Sequence, residues 1–206
     1  MRLADFADAR TEPGYIYELY RGVVLVMPNP GIWHERVKCA IRDRLAAYSL
    51  ANPGRIDLLA DGSGCAVRIP RRQVERHPDL AVYLSPPPVD DARPWDFWTP
   101  DIVVEVVSEG GERRDSEEKR DDYLLAGVRL YLIFDPRPRA ATVLIRRGDE
   151  WDERKLNDSA VLETPLLPGF RLKLSEVFAA VPKARPSVPR QRAKRNGSTT
   201  RRRPSR

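Results

Sequence analysis

A carboxylate in the middle of an apolar strand is the feature of this sequence that most needs a chemical explanation. Glu105 stands among Val103, Val104, Val106 and Val107. Strand side chains alternate, so Glu105 shares a face with Val103 and Val107. Burying a carboxylate without a partner is costly. Either Glu105 lies on a wet strand face, or a cation or basic side chain meets it. Asp79 bears on that choice. It follows Pro78 and leads the apolar stretch Leu80 to Leu84, which places its carboxylate at a sheet rim. Alone it reads as an Asx-turn residue. Together, two carboxylates on neighbouring strands make a hard oxygen site. Mg²⁺ (or Mn²⁺) suits such a site, since it keeps several waters and takes one or two carboxylates plus a substrate phosphate. The backbone carbonyl of Val106 is a candidate third oxygen.

Lys119 is the third candidate. Lys119, Tyr123 and Ala126 fall on one helical stripe at i, i+4 and i+7. With Tyr123 and Ala126 facing a sheet, Lys119 sits on or beside the buried face and can reach back to the preceding strand. The alternative is a snorkelling lysine with its amine in water. The three residues together would support metal-assisted phosphodiester hydrolysis. The metal would acidify a bound water, and the amine would orient that water or stabilise charge in the transition state.

These residues need a sheet and a helix to hold them. Residues 15–27 are strand-like on both sides of Arg21-Gly22, which predicts a hairpin. Trp33, Val37, Ile41, Leu45 and Tyr48 recur at helical spacing, predicting an amphipathic helix over about 32–50 that ends at Asn52-Pro53-Gly54. Short strands are expected at Ile56 to Ala60, Cys65 to Ile69, Asp79 to Leu84 and Asp101 to Val107. Asp115 and Glu118 read as a capping box for a helix running to Ala126, with Gly127 as its left-handed terminator. Leu130 to Phe134 reads as a strand buried on both faces. Edge strands are expected at Ala141 to Arg146 and near 160–173, and a short terminal helix at Ser175 to Ala180. The fold class predicted is α/β, in the α+β sense of a central mixed sheet flanked by helices.

Composition narrows the setting. Cys39 and Cys65 are too few for a disulfide framework or a zinc site, and they read as reduced thiols of a cytoplasmic protein. No apolar run is long enough to span a bilayer, and residues 1–10 contain no apolar segment of a secretory signal. The net charge of +6 is unevenly spread. Residues 183–206 hold ten Lys or Arg and no acid, leaving 26 basic against 30 acidic residues, about −4, in 1–182. The expected organisation is one domain over 1–182 and a basic, disordered tail over 183–206. Such a tail binds phosphate backbones without base specificity, or merely solubilises the chain.

Several short motifs, taken together, resemble a known family. Tyr17-Glu18-Leu19 with Gly22, the run Val24 to Met27, Pro28 and His34 are similar to the Uma-type restriction endonuclease-like family. So are Pro78-Asp79-Leu80, the run Val104 to Ser108, Lys119-Arg120 with Tyr123, Ala126-Gly127-Val128, Tyr131 and Asp135-Pro136. The resemblance covers roughly residues 5–180. It implies a PD-(D/E)XK nuclease with the restriction endonuclease-like fold, a divalent metal and DNA as substrate. It implies that Asp79 and Glu105 bind the metal. The position two residues after the acid, where the commoner motif places lysine, is Val107 here, so the resemblance points to Lys119 on the following helix. It offers Glu18 as a further acidic member, the alternative being a salt-bridged structural glutamate. It offers His34, Arg113 and Arg114 as substrate contacts, although such a histidine more often caps or packs. Two strands to cut favour a homodimer. The rival reading is a catalytically inactive DNA-binding or interaction module of the same fold. The intact Asp79, Glu105 and Lys119 set favours the enzyme.

Overall fold

The two-residue turn predicted at Arg21-Gly22 requires left-handed backbone at both positions, and both have it, with φ of 50° and 80°. The computed structural model describes residues 1–88, 94–108 and 118–182. Helix α1 (Leu3–Ala7) precedes the hairpin of β1 (Tyr15–Tyr20) and β2 (Val23–Pro28). Leu3 and Phe6 of α1 pack on Leu19.

Helix α2 (Ile32–Ala51) buries His34, Val37, Ile41, Leu45 and Tyr48, steps of three and four that make one face. The expected stripe begins at Trp33, but Trp33 is exposed and His34 takes the first inward position. His34 does not cap the helix, because the N-cap is Gly31 and no side chain caps it.

Strands β3 (Leu58–Asp61), β4 (Val67–Ile69), β5 (Val74–Arg76), β6 (Leu80–Tyr83) and β7 (Ile102–Val106) follow. Helix α3 (Lys119–Ala126) ends, as expected, on Gly127 at φ 97°; the capping residue Asp115 lies outside the described residues. Then come β8 (Leu130–Asp135), β9 (Ala140–Arg147), β10 (Glu150–Leu156), β11 (Val161–Leu162), β12 (Leu172–Lys173) and α4 (Leu174–Val177).

The central sheet has the order β10-β9-β8-β7-β6-β3. Only β7 and β8 run parallel; they are joined across α3, and the other pairs are antiparallel. One face carries Leu80, Val82, Val104 and Val106 against Val37 and Ile41 of α2. The other carries Val103, Val107, Tyr131 and Ile133 against Tyr123 of α3. Burial on both faces explains the near-continuous apolar runs of β7 and β8.

Two strand expectations are corrected. Ala141 to Arg146 is not an edge, because β9 lies between β8 and β10 and β10 takes the edge, and the strands near 160–173 form the separate β11–β12 ribbon. The sequence of β10 is mostly charged, because an exposed edge strand pairs through its backbone and needs no apolar face. A second, four-stranded sheet, β2-β1-β5-β4, was also unforeseen. Strand β4 falls within the stretch expected at Cys65 to Ile69 and alternates, but β5 is Val74-Glu75-Arg76 with all three residues buried, so it carries no period-two pattern.

Candidate active site

The register of β6 on β7 decides where the two acids stand. Leu80 pairs with Val104 in antiparallel register, so the next step along both strands sets Asp79 opposite Glu105. The Val106 N–H donates to Asp79 Oδ2 at 2.7 Å. His34 Nε2 meets the same oxygen at 2.9 Å, and because a carboxylate only accepts, the ring donates. Asp79 Oδ1 accepts no hydrogen bond among the described residues. The Asp79 side chain is 14% exposed and lines a cleft of about 690 Å³ shared with Tyr15, Asn29 and Lys38.

Glu105 lies deeper, 3% exposed. Alternation aims it at the α3 face, with Val103 and Val107, as read from the sequence. There Lys119 Nζ donates to Oε1 at 2.8 Å and the Tyr123 hydroxyl donates to the same oxygen at 2.5 Å. Burial, reinforced by the charge of Glu105, pushes the Tyr123 phenol well above its usual range, so it stays protonated and able to donate. Lys119 Nζ is also 3.4 Å from Glu18 Oε1. Its amine therefore points inward between two acids and does not snorkel.

Arg76 and Asp122 complete this buried network. Arg76, fully buried, donates through Nη1 to Glu18 Oε2 at 2.9 Å and through Nε and Nη2 to Asp122 Oδ2 at 3.0 and 2.8 Å. Its guanidinium also lies over the Tyr20 ring. Burial works against the Arg76 cation, but Glu18 and Asp122 hold its pKa above the ordinary arginine value. Counted as ionised, Glu18, Glu105 and Asp122 face Arg76 and Lys119, with Arg72 at 3.7 Å from Asp122 on the margin. Sequence reading missed Arg76 and Asp122. Asp122 had a signal, since it stands at i+3 from Lys119 on the same stripe. Arg76 had none, because the polar run Glu75-Arg76-His77 looks like a loop.

Beside Asp79, Glu75 bonds Arg68 at 2.7 Å and His77 at 2.9 Å. Burial raises the Glu75 carboxyl, but His77 and Arg68 outweigh it and its pKa is lowered. Burial lowers the His77 imidazole, but Glu75 outweighs it and its pKa is raised. Burial, helped by Glu105 and Asp61, pushes the Cys65 thiol up to about 12. At pH 8 the nucleophilic thiolate of Cys65 is therefore scarce. We expect 5,5′-dithiobis(2-nitrobenzoate) to label the more accessible Cys39 at least about a hundredfold faster than Cys65. Both should react once the protein is unfolded in urea, and equal native rates would contradict the buried placement of Cys65.

The residues fit a hard divalent cation. Asp79 Oδ1 is open on the cleft, Glu105 stands opposite it across the strand pair, and the Val106 carbonyl lies on the same side of β7 as its N–H, toward Asp79. Among the described residues no three His, Cys, Asp or Glu side chains gather as a metal cluster. Two carboxylates, a carbonyl and waters are nonetheless a donor set that Mg²⁺ accepts. His34 joins the site through Asp79, and Glu18 through Lys119 and Arg76. Arg113 and Arg114 lie outside the described residues.

A mixed sheet whose one parallel pair, β7 and β8, is bridged by α3 thus brings Asp79, Glu105 and Lys119 together from three adjoining elements. The Uma2 family model, described as "Putative restriction endonuclease", matches residues 3–175, and the chain belongs to that family. Among solved structures, one from Anabaena variabilis ATCC 29413, described as "a putative nuclease belonging to DUF820", shares the fold. Its TM-score is 0.67 at 16% identity, over 87% of this chain and 98% of that one. No curated protein matches the sequence. No helix among the described residues is long and apolar enough to cross a membrane.

Proposed function

We propose that the protein is an endonuclease of the cytoplasm that hydrolyses DNA phosphodiester bonds with Mg²⁺ or Mn²⁺. The observation that carries this reading is Asp79: one oxygen fixed by His34 and Val106, the other open on a cleft, directly across from Glu105. Asp79, Glu105 and the Val106 carbonyl would hold the cation. When bound, it would supply Lewis acidity, acidifying a water and neutralising charge on the phosphate. Tyr123 fixes Glu105 in place, and Lys119 keeps a preorganised positive charge beside it. That charge favours the extra negative charge that develops as a nucleophile adds to phosphorus. Supercoiled plasmid tests the reading. Nicking is expected with Mg²⁺ or Mn²⁺, and it should stop in EDTA and return when metal is restored. Nicking that continues in EDTA, or fails with every divalent metal, would refute it.

The burial of Glu105 beneath Lys119 and Tyr123 favours a second reading, an inactive module of the same fold that binds DNA or a protein partner. That module would bind DNA without metal and never cut it.

We propose also that the ten basic residues of 183–206 act as a phosphate-binding arm. Neutralising phosphates releases counterions, so log affinity falls with log salt at about 0.9 per phosphate contact. Deleting 183–206 is expected to weaken binding of duplex DNA at 50 mM salt at least about tenfold and to flatten that slope by several units. Unchanged affinity and slope would leave the arm without a role in DNA binding. A homodimer, which would bring two sites to two strands, is checked by sedimentation of the full chain.

A further inference from the structure

The cleft beside Asp79 is built for something flat and uncharged. Tyr15, 50% exposed, and the more sheltered Tyr17 line it together with Asn29 and Asp79. Its charged walls are largely cancelled in place. Glu35 is held by Lys38 at 2.9 Å, and Glu75 by Arg68 and His77 at 2.7 and 2.9 Å. Among the described residues, the Tyr15 hydroxyl and the Asn29 side-chain amide make no hydrogen bond. An exposed aromatic face, a free amide with both donor and acceptor, and a neutral wall suit a nucleobase better than a phosphate. A volume of about 690 Å³ is that of a site for one small molecule.

We propose that this cleft takes an unstacked nucleobase next to the phosphate to be cleaved, so that the substrate is single-stranded or locally opened DNA. The inference rests on the nuclease reading above and narrows its substrate. The base stacks on Tyr15, and Asn29 bonds its edge. Asp79 Oδ1, on the same cleft, then faces the backbone of that nucleotide. A base within a duplex is paired and stacked on both sides, so a duplex must be opened before it can enter. Stacking of this kind tolerates any sequence, because every base has an aromatic face.

The test is fluorescence anisotropy of the full chain in EDTA, so that nothing is cut. The probes are a labelled oligothymidine of about a dozen nucleotides and a blunt duplex of equal length, at about 0.3 M salt to screen the basic tail. The wild type is expected to bind the single strand at least about tenfold more tightly than the duplex. Tyr15→Ala is expected to weaken single-strand binding about tenfold or more and leave duplex binding unchanged, while Tyr15→Phe keeps the stacking and most of the affinity. Tyr15 is exposed, so these variants fold, and a circular dichroism spectrum confirms it. Single-strand affinity unmoved by Tyr15→Ala, or a duplex bound as tightly as the single strand, overturns the cleft assignment. If metal-dependent plasmid nicking persists in that case, the nuclease reading stands without it. Binding of neither probe, with no nicking, defeats both.

Discussion

Replacing Arg76 with alanine is expected to destabilise the protein by about 3–5 kcal/mol, the cost of removing one partner from a buried ion pair. Whole domains are stable by only about 5–15 kcal/mol, so the variant should lose a large share of its stability and unfold at a much lower urea concentration. The reason lies in what the guanidinium holds apart. Glu18 on β1 and Asp122 on α3 have side chains about 1% exposed and sit on opposite sides of Arg76. Without it, two carboxylates are left in a dry interior, one of them already sharing Lys119 with Glu105. The prediction has an internal control. Adding Glu18→Gln and Asp122→Asn to Arg76→Ala removes the stranded charges and is expected to recover a good part of the loss. Urea unfolding midpoints of the single and triple variants measure it. A single variant as stable as the wild type would mean that the network is not the tie between the hairpin sheet and α3.

How much of this was legible in the sequence follows from which forces leave a periodic trace. The hairpin turn, α2 and the strands β6, β7 and β8 were legible, because each rests on a local rule: left-handed turn residues, a three-and-four step, or an unbroken apolar run. Glu105 was legible for the opposite reason, as a charge that violates its own strand pattern. Its face was fixed by alternation alone, and α3 meets it there through Lys119 and Tyr123. What could not be read is the second sheet and the network it delivers. Strand β5 joins a sheet because β1 offers it an edge, at Leu19 and Glu75, with β4 on its other side, and that is a tertiary fact. Arg76 is buried because two acids from distant elements surround it, at sequence separations of 46 and 58 residues. No local window contains that reason. The contact between His34 and Asp79 is of the same kind. The sequence offered His34 as a cap, a packing residue or a substrate contact, and its bond to Asp79 depends on how α2 crosses the end of β6.

The second large effect separates chemistry from folding within one cluster. Asp79→Asn and Glu105→Gln are each expected to lower plasmid nicking at least about a hundredfold, on the scale of removing one preorganised charge-stabilising group. Each keeps its side chain's shape and removes one negative charge from the proposed cation site. The amide oxygen introduced by Asp79→Asn can still accept from the Val106 N–H, and that of Glu105→Gln from the Tyr123 hydroxyl, so both variants should fold. Lys119→Met is different. It strands Glu105 and Glu18 together in a buried site, so lost activity in that variant would be confounded by lost stability. The double variant Lys119→Met with Glu105→Gln resolves this, because it leaves only Glu18, still bonded to Arg76. We expect it to regain much of the stability lost in Lys119→Met and none of the nicking. Mn²⁺ binding followed by electron paramagnetic resonance gives a readout independent of turnover: Asp79→Asn and Glu105→Gln should weaken it. If both acid variants bind Mn²⁺ and cut plasmid as the wild type does, these carboxylates serve the fold alone, and Glu105 is to be understood with Glu18 and Asp122 as ballast for Arg76 and Lys119.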